Sequence, residues 1–341
     1  MNNLSEQFVS VNDTAELMEL STPVNLAMLP TMFRLTTIHH AQLDDKCTQC
    51  IASLHHDKAA LKVKWTLNRP DLRLKSGDLV SPRWFGLTTS EGGVTKISRL
   101  VLMERPEPWE NLFHTVPHGW VKNRELVSQA AELFEAMPRS YRFLFNAVFW
   151  DGQRFKRFCT VPSSMNGHHA EDNGNLRHAV EVAQMMQQYC HAHDLANEGL
   201  GILAGFFHDA GKADEYRLSP KGEWKLSDRG KLLGHKVTVI EWIAQARAKW
   251  NLLMPEDHYM ALLHCLTSSP NAPDWLGIRK PAMLEATLLS NMDRLSGTKD
   301  LIRRCTASRN GWGSYHAHLN GQPYRIDGLL DEPEEENRGP D

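Results

Sequence analysis

Five segments between Leu176 and Leu295 set histidine or aspartate within or beside apolar runs: LRHAVEVAQMM, LAGFFHDAGK, LLGHKVTVIEW, LLHCLTSSP and LLSNMDRL. Each reads as helix. His178 falls on the face of Val182, Met185 and Tyr189, His208 follows Leu200, Ala204 and Phe207, and His235 shares a face with Val239, Trp242 and Ala246. A polar group on a buried face costs free energy unless a partner satisfies it. One such histidine is most often a satisfied core residue. Several on successive helices, with the adjacent His208-Asp209 pair and the later Asp293, have a common explanation in a divalent cation. Imidazole with carboxylate suits Mn, Fe, Ni, Zn or Mg better than it suits a structural thiolate site.

The order His, His-Asp, Asp resembles that of the HD metal-dependent phosphohydrolase superfamily, and FFHDAGK (Phe206 to Lys212) is its most specific piece. The resemblance implies that His178, His208, Asp209 and Asp293 hold one ion. Asp209, with two carboxylate oxygens, would bridge to a second ion, for which His235 is a ligand. Two ions about 3.5–4 Å apart would clamp the attacking and leaving oxygens of a phosphodiester and acidify a water. Lys212 would stand at the mouth and contact a substrate phosphate, which makes Asp209 and Lys212 the candidate catalytic residues. His168 and His169, in a loop ahead of the first ligand helix, are candidates for substrate contact.

The elements expected to position these residues form a helical domain over residues 161–320. A helical linker precedes it at 119–160. There Leu126, Ala130, Leu133 and Met137 share a face, Pro138 ends the helix, and YRFLFNAVFW (Tyr141 to Trp150) is apolar enough to be buried. Phe155 to Asn175 reads as loop. Residues 31–118 read as strands: Phe33–Ile38, Cys47–His56, Ala60–Leu67, Gly77–Leu87 and Val94–Met103, separated by turn-prone stretches. Leu61, Val63, Trp65 and Leu67 alternate with Lys62, Lys64 and Thr66, which puts Trp65 in a core. Short strands at this density suit a small closed barrel of the OB type. Its basic residues, Lys62, Lys64 and Arg83 among them with Arg69, Arg73, Lys75, Lys96 and Arg99, suit a groove for a single strand, with Trp84 or Phe85 for base stacking. The expected class is α+β with several domains: an arm over 1–30, the barrel, the linker, the helical bundle, and an acidic tail over 321–341.

Composition narrows the reading. The chain has 341 residues, 41% hydrophobic and 23% charged, enough for a real core. Its net charge of −3 excludes a polycation, so any nucleic-acid site is a local patch. The six cysteines show no disulfide framework, and Cys47-x-x-Cys50 lacks the second pair that a structural zinc needs. With no signal peptide and no apolar run of membrane-spanning length, a cytoplasmic protein with reduced thiols is expected.

The arrangement is also similar to the YhaM-type 3′→5′ exonucleases, which join an OB-fold to an HD domain. The matching positions are His168-His169, Gly174, His178, His208-Asp209-Ala210-Gly211-Lys212, Leu232-Leu233-Gly234-His235 and Asp293. The HD domain of TraI-like relaxases shares much of this pattern. The resemblance implies a metal-dependent phosphodiesterase acting on single-stranded nucleic acid from a 3′ end. At one place the chain departs. The family has a Ser-His-His-Gly segment after the Leu-Leu-Gly-His helix, whereas here Ser268 is followed by Ser269 and Pro270, with His264 one turn away as a substitute second-ion ligand. Two other readings stay open: hydrolysis of a nucleotide or small phosphoester, and a nucleic-acid-binding protein with a decayed HD site. Single-stranded nucleic acid or a nucleotide is the expected partner and a membrane is not; a homo-oligomer stays open.

Overall fold

A computed structural model describes residues 26–326 apart from 86–89 and 195. The fold is α+β, an N-terminal sheet followed by a helical region. It divides into two compact units: the chain to Cys159 together with Glu241–Met254, and Thr160–Ile240 together with the chain from Pro255. The stretch 241–254, expected within one continuous domain over 161–320, therefore counts with the first unit.

In the first unit the strands are β1 (Phe33–Asp44), β2 (Cys47–His56), β3 (Ala59–Leu67), β4 (Leu79–Trp84), the short β5 (Ser90–Glu91) and β6 (Val94–Leu102). Their order is β3-β2-β1-β4-β6-β5, and β3 also pairs with β6 in parallel. The alternation seen in the sequence places Phe33, Leu35, Leu54, Val63, Trp65 and Ile97 in one buried cluster. Helices α1 (Arg124–Ala136), α2 (Arg139–Phe149) and α3 (Gly152–Thr160) follow. Asn123 caps α1 by accepting from the Leu126 N–H. The expected loop from Phe155 is a correction: residues 155–160 are helical, because Phe155, Phe158 and Cys159 bury completely at helical spacing. Phe113, Phe145, Phe149, Phe155 and Phe158 form a chain of rings with centroids 4.6–5.8 Å apart. Arg34 of β1 is fully buried, donating to Gly77 O and Thr115 Oγ1 at 2.8 Å each, and burial lowers its pKa to about 9.

At the β2–β3 turn, Asp57 meets His56 Nδ1 and His114 Nδ1 at 2.5 Å each, and His114 Nε2 meets Glu135 Oε1 at 3.0 Å. Burial alone would raise the Asp57 carboxyl, but hydrogen bonds from His114 and His56 outweigh it and hold the carboxyl well below its usual range. The hydrogen bond to Asp57 in turn raises His114. A raised histidine contributes stability that is full below its unfolded pKa and lost as pH rises through the folded value. A depressed aspartate contributes above its unfolded pKa and loses it as pH falls. The pair thus stabilises most between about pH 4 and 6.5. His114→Gln is expected to lower stability near about pH 5.5 and to cost less near about pH 8.5. With side chains 28% and 33% exposed, solvent screening keeps the effect below about 1 kcal/mol. Urea unfolding at both pH values checks this; an equal loss at both would assign His114 to packing alone.

The second unit holds α4 (Gly174–His191), α5 (Glu198–Phe207), the short α6 (Lys212–Glu215), a hairpin of β7 (Tyr216–Leu218) and β8 (Trp224–Leu226), α7 (Asp228–Leu232), the start of α8 (Gly234–Trp250), α9 (Glu256–Thr267), α10 (Leu284–Cys305) and a hairpin of β9 (Gly311–Trp312) and β10 (Tyr324–Arg325). LLGH is not one helix: Gly234, at φ +72°, separates α7 from α8. On α4 the buried face runs through Ala179, Val182, Ala183, Met186 and Cys190, while Tyr189 is exposed. Residues 321–326, expected in the tail, belong to the β9–β10 hairpin. The rest of the acidic tail, and the arm up to residue 25, lie outside the described residues. Among the described residues no helix is long and apolar enough to cross a membrane.

Candidate metal centre

The centre is built on small residues. A Cβ at Gly205 would lie 2.6 Å from Ala183 Cα, so α5 approaches α4 at backbone distance. This close packing lets His178, in the second turn of α4, meet His208, the C-cap of α5. A Cβ at Gly174 would lie 2.0 Å from His169 O, so the first residue of α4 is glycine for space. A Cβ at Gly211 would lie 2.1 Å from His235 O, which explains the glycine of HDAGK: the start of α8 passes directly over it. Asp293 comes from α10.

Donor atoms of His178, His208, Asp209 and Asp293 all lie within 4.8 Å of one another. His178 Nε2 stands 3.1 Å from His208 Nε2, 3.0 Å from Asp293 Oδ1 and 3.4 Å from Asp209 Oδ2. His208 Nε2 stands 3.6 Å from Asp209 Oδ2 and 3.8 Å from Asp293 Oδ1. The tautomers follow from the surrounding hydrogen-bond network. His208 Nδ1 lies 2.7 Å from the Gly205 carbonyl, an acceptor only, so Nδ1 carries hydrogen. Ser296 Oγ donates to Glu181 Oε2 at 2.9 Å, and its lone pairs are left for His178 Nδ1 at 3.0 Å and His169 Nε2 at 3.3 Å. Both outer nitrogens are thus N–H donors. In the neutral rings, both Nε2 lone pairs then point at each other between two carboxylates.

Such a focus requires a positive charge. Burial lowers His208, which keeps it neutral. Burial would also lower His178, but hydrogen bonds with Asp209 and Asp293 outweigh it and raise the ring. A proton on His178 Nε2 and a divalent cation among the four donors are therefore alternatives for the same place. Two imidazole nitrogens and two carboxylate oxygens fit a first-row divalent ion. Burial works against ionised Asp209, yet the Lys212 ammonium above all holds its carboxyl well below the usual range.

Several expected roles change. Lys212 is not at an open mouth. It is 7% exposed, with Nζ 2.5 Å from Asp209 Oδ2 and 3.2 Å from Ser163 Oγ. His169 is no surface contact either: it is 1% exposed at φ +45°, with its N–H donating to Asp300 Oδ2 at 2.9 Å. His168 packs on His178 at 4.8 Å between ring centroids, and a Cβ at Gly297 would lie 2.9 Å from its Nδ1. Burial lowers its pKa to about 4, so it is neutral at ordinary pH. His235 Nε2 faces Asp209 Oδ1 at 3.2 Å, the oxygen turned away from His178, and its Nδ1 meets Glu215 Oε2 at 2.7 Å. His264 is not brought into the cluster: its Nε2 accepts the Ala282 N–H at 2.9 Å. Ser163, Glu181, Glu215, Ser296 and Asp300 were not anticipated. Of these, Ser296 and Asp300 repeat the spacing of Asp293 along α10, and Glu181 lies one turn after His178, so helical periodicity was the available signal.

In the first unit, Lys62 and Arg83 are exposed and Lys64 is half-buried. Lys64 is in register with Lys96 across β3–β6, and Arg83 with Arg99 across β4–β6. Phe85 is 43% exposed with Lys96 Nζ 5.8 Å from its ring centroid, whereas Trp84 packs against the core.

No protein-family model matches the chain. Among curated proteins it is similar to the 3′-5′ exoribonuclease YhaM of Bacillus licheniformis, 25% identical over 149 residues, which is 44% of this chain and 46% of that protein. YhaM of a Geobacillus species is 24% identical over 149 residues, 44% of this chain and 45% of that protein. YhaM of Bacillus subtilis is 22% identical over 147 residues, 43% and 46% respectively. The matches thus span less than half the length of these relatives. They support a YhaM-like relationship over that stretch.

Proposed function

We propose that the chain is a divalent-metal-dependent phosphodiesterase that degrades single-stranded nucleic acid, RNA by the relatives' name, from its 3′ end. The helical unit is read as an HD-type hydrolytic domain and the sheet as an OB-like barrel that holds the strand. The observation that carries this is the pair of histidines whose outer nitrogens are committed to acceptors and whose inner nitrogens meet two carboxylates. His178, His208, Asp209 and Asp293 would hold the ion. When bound, it supplies Lewis-acid polarisation of a phosphoryl oxygen and an acidified water. Lys212 keeps Asp209 ionised and aimed, and Ser296 holds His178 in register. His168, neutral beside His178, is the histidine of the loop pair retained for substrate contact.

On the barrel, the in-register pairs Lys64–Lys96 and Arg83–Arg99 set like charges opposite each other, which costs stability in a sheet. Phosphates lying across β3, β6 and β4 would relieve that repulsion, and Lys62 extends the same face. Phe85 offers a stacking ring.

His235 and Asp209 Oδ1, with Glu215 fixing the ring, form a second position with two donors, while Ser269 and Pro270 stand where the resembling family has histidines. One ion is therefore expected to survive dialysis and a second to be held only in excess Mn²⁺. Metal analysis after dialysis, then digestion of end-labelled single-stranded RNA with added Mn²⁺, tests both parts. A ladder shortening from the 3′ end is expected. Absence of hydrolysis with every one of Mn²⁺, Mg²⁺, Fe²⁺, Ni²⁺ and Zn²⁺ would sink the enzymatic reading, and two tightly retained ions would sink the weak second position.

A further inference from the structure

The β9–β10 hairpin leaves three large rings in solvent: Trp312 is 68% exposed, Tyr315 62% and Tyr324 59%. Trp312 and Tyr324 are in register, with ring centroids 5.1 Å apart at 74°. Rings of this size ordinarily bury most of their surface. Here they stand on a firm frame. Gly313 N–H donates to Pro323 O at 2.7 Å and Ser314 N–H to Cys305 O at 2.8 Å. A Cβ at Gly313 would lie 1.9 Å from Cys305 O, so the hairpin is seated directly on the end of α10. That helix also carries Asp293 and Ser296.

The hairpin also reaches the loop beside the metal centre. His318 Cε1 lies 3.5 Å from the position a Cβ would take at Gly167, and Gly167 O accepts from Arg304. The next residue, His168, packs on His178. The segment 299–326, ahead of the acidic run that begins at Asp327, carries more bases than acids: Lys299, Arg303, Arg304, Arg309 and Arg325 against Asp300, with Arg303 and Arg304 paired to Asp300 and Lys299 Nζ 3.8 Å from Glu181 Oε1. Exposed rings alone would suit a protein partner as well. Rings on a segment of net positive charge, joined through Gly167 to the candidate metal centre, suit bases on a phosphate backbone.

We propose that Trp312, Tyr315 and Tyr324 form a base-stacking platform at the C-terminal end of α10 that holds single-stranded nucleic acid on the unit that carries the candidate metal centre. This rests on the reading of the chain as a single-strand phosphodiesterase. The rings supply affinity that is tolerant of sequence, because every base has a face to stack, and their contribution does not depend on salt as phosphate contacts do.

The test uses the whole chain and two probes: a labelled single-stranded oligoribonucleotide, followed by anisotropy across a salt series, and methyl p-nitrophenyl phosphate, a phosphodiester without a base, hydrolysed in Mn²⁺. Trp312→Ala with Tyr324→Ala is expected to weaken oligomer binding by roughly tenfold or more per stacked base lost. The salt slope and hydrolysis of the small diester should not change. Trp312→Phe with Tyr324→Phe keeps the rings and should bind within about threefold of wild type. If the double alanine variant does not fold, Tyr315→Ala, outside the strand pairing, carries the same comparison. Oligomer affinity that survives loss of the rings, in a protein whose wild type binds and cuts normally, overturns the platform and leaves the strand reading intact. A wild type that neither binds nor cuts the oligomer overturns both. Loss of a dimer on size-exclusion chromatography with oligomer affinity unchanged assigns the face to a second copy and overturns the platform.

Discussion

Asp209→Ala is expected to reduce phosphodiester hydrolysis by more than about 100-fold and to strip the ion that survives dialysis in the wild type. One substitution removes two different oxygens. Oδ2 faces His178 Nε2 at 3.4 Å and His208 Nε2 at 3.6 Å, while Oδ1 faces His235 Nε2 at 3.2 Å. The change also orphans Lys212, which is 7% exposed and would keep only the Ser163 hydroxyl. Breaking one partner out of a buried ion pair costs about 3–5 kcal/mol. The variant should therefore unfold at lower urea as well as lose its ion. Lys212→Met added to Asp209→Ala removes the stranded charge and should recover much of the stability, but none of the metal binding. Oligonucleotide binding through the sheet should persist in both variants. Metal analysis beside urea unfolding separates the effects, and full ion retention in Asp209→Ala would refute the ligand assignment.

Ser296→Ala should weaken metal affinity by about 10–100-fold although Ser296 offers the ion nothing. Its hydroxyl donates to Glu181 and accepts from His178 Nδ1 and His169 Nε2. Without it, two buried N–H groups lose their acceptor, at about 1–3 kcal/mol each, and nothing then enforces the tautomer that turns the His178 Nε2 lone pair inward. Ser296→Thr keeps the hydroxyl and should retain most of the affinity. A chelator competition assay reads the difference directly; equal affinity in Ser296→Ala and wild type would show that the tautomer of His178 does not depend on Ser296.

What the sequence by itself determined were periodic and local features. Alternation over residues 61–67 placed Trp65 inside a sheet, where it is 2% exposed. The order His178, His208-Asp209, Asp293 named four residues whose donor atoms converge. Both are legible because strand and helix periods fix which side chains share a face, and because the chemistry of a donor set is written in residue types. Tertiary structure alone decided the rest. Lys212 reads as a lysine at the mouth of the site, and it is buried, donating to Ser163, 49 residues away, as well as to Asp209. His169 reads as a loop residue, and it is buried because Asp300 and Ser296 come from α10, more than a hundred residues on. The α8 helix reads as one element of one domain, yet its residues from Glu241 count with the sheet. Glu215 turns His235, one of the second-ion candidates, into an oriented one. The common reason is range. A side chain's protonation and aim depend on what is packed against it, and at this centre those neighbours come from parts of the chain whose separation no local period encodes.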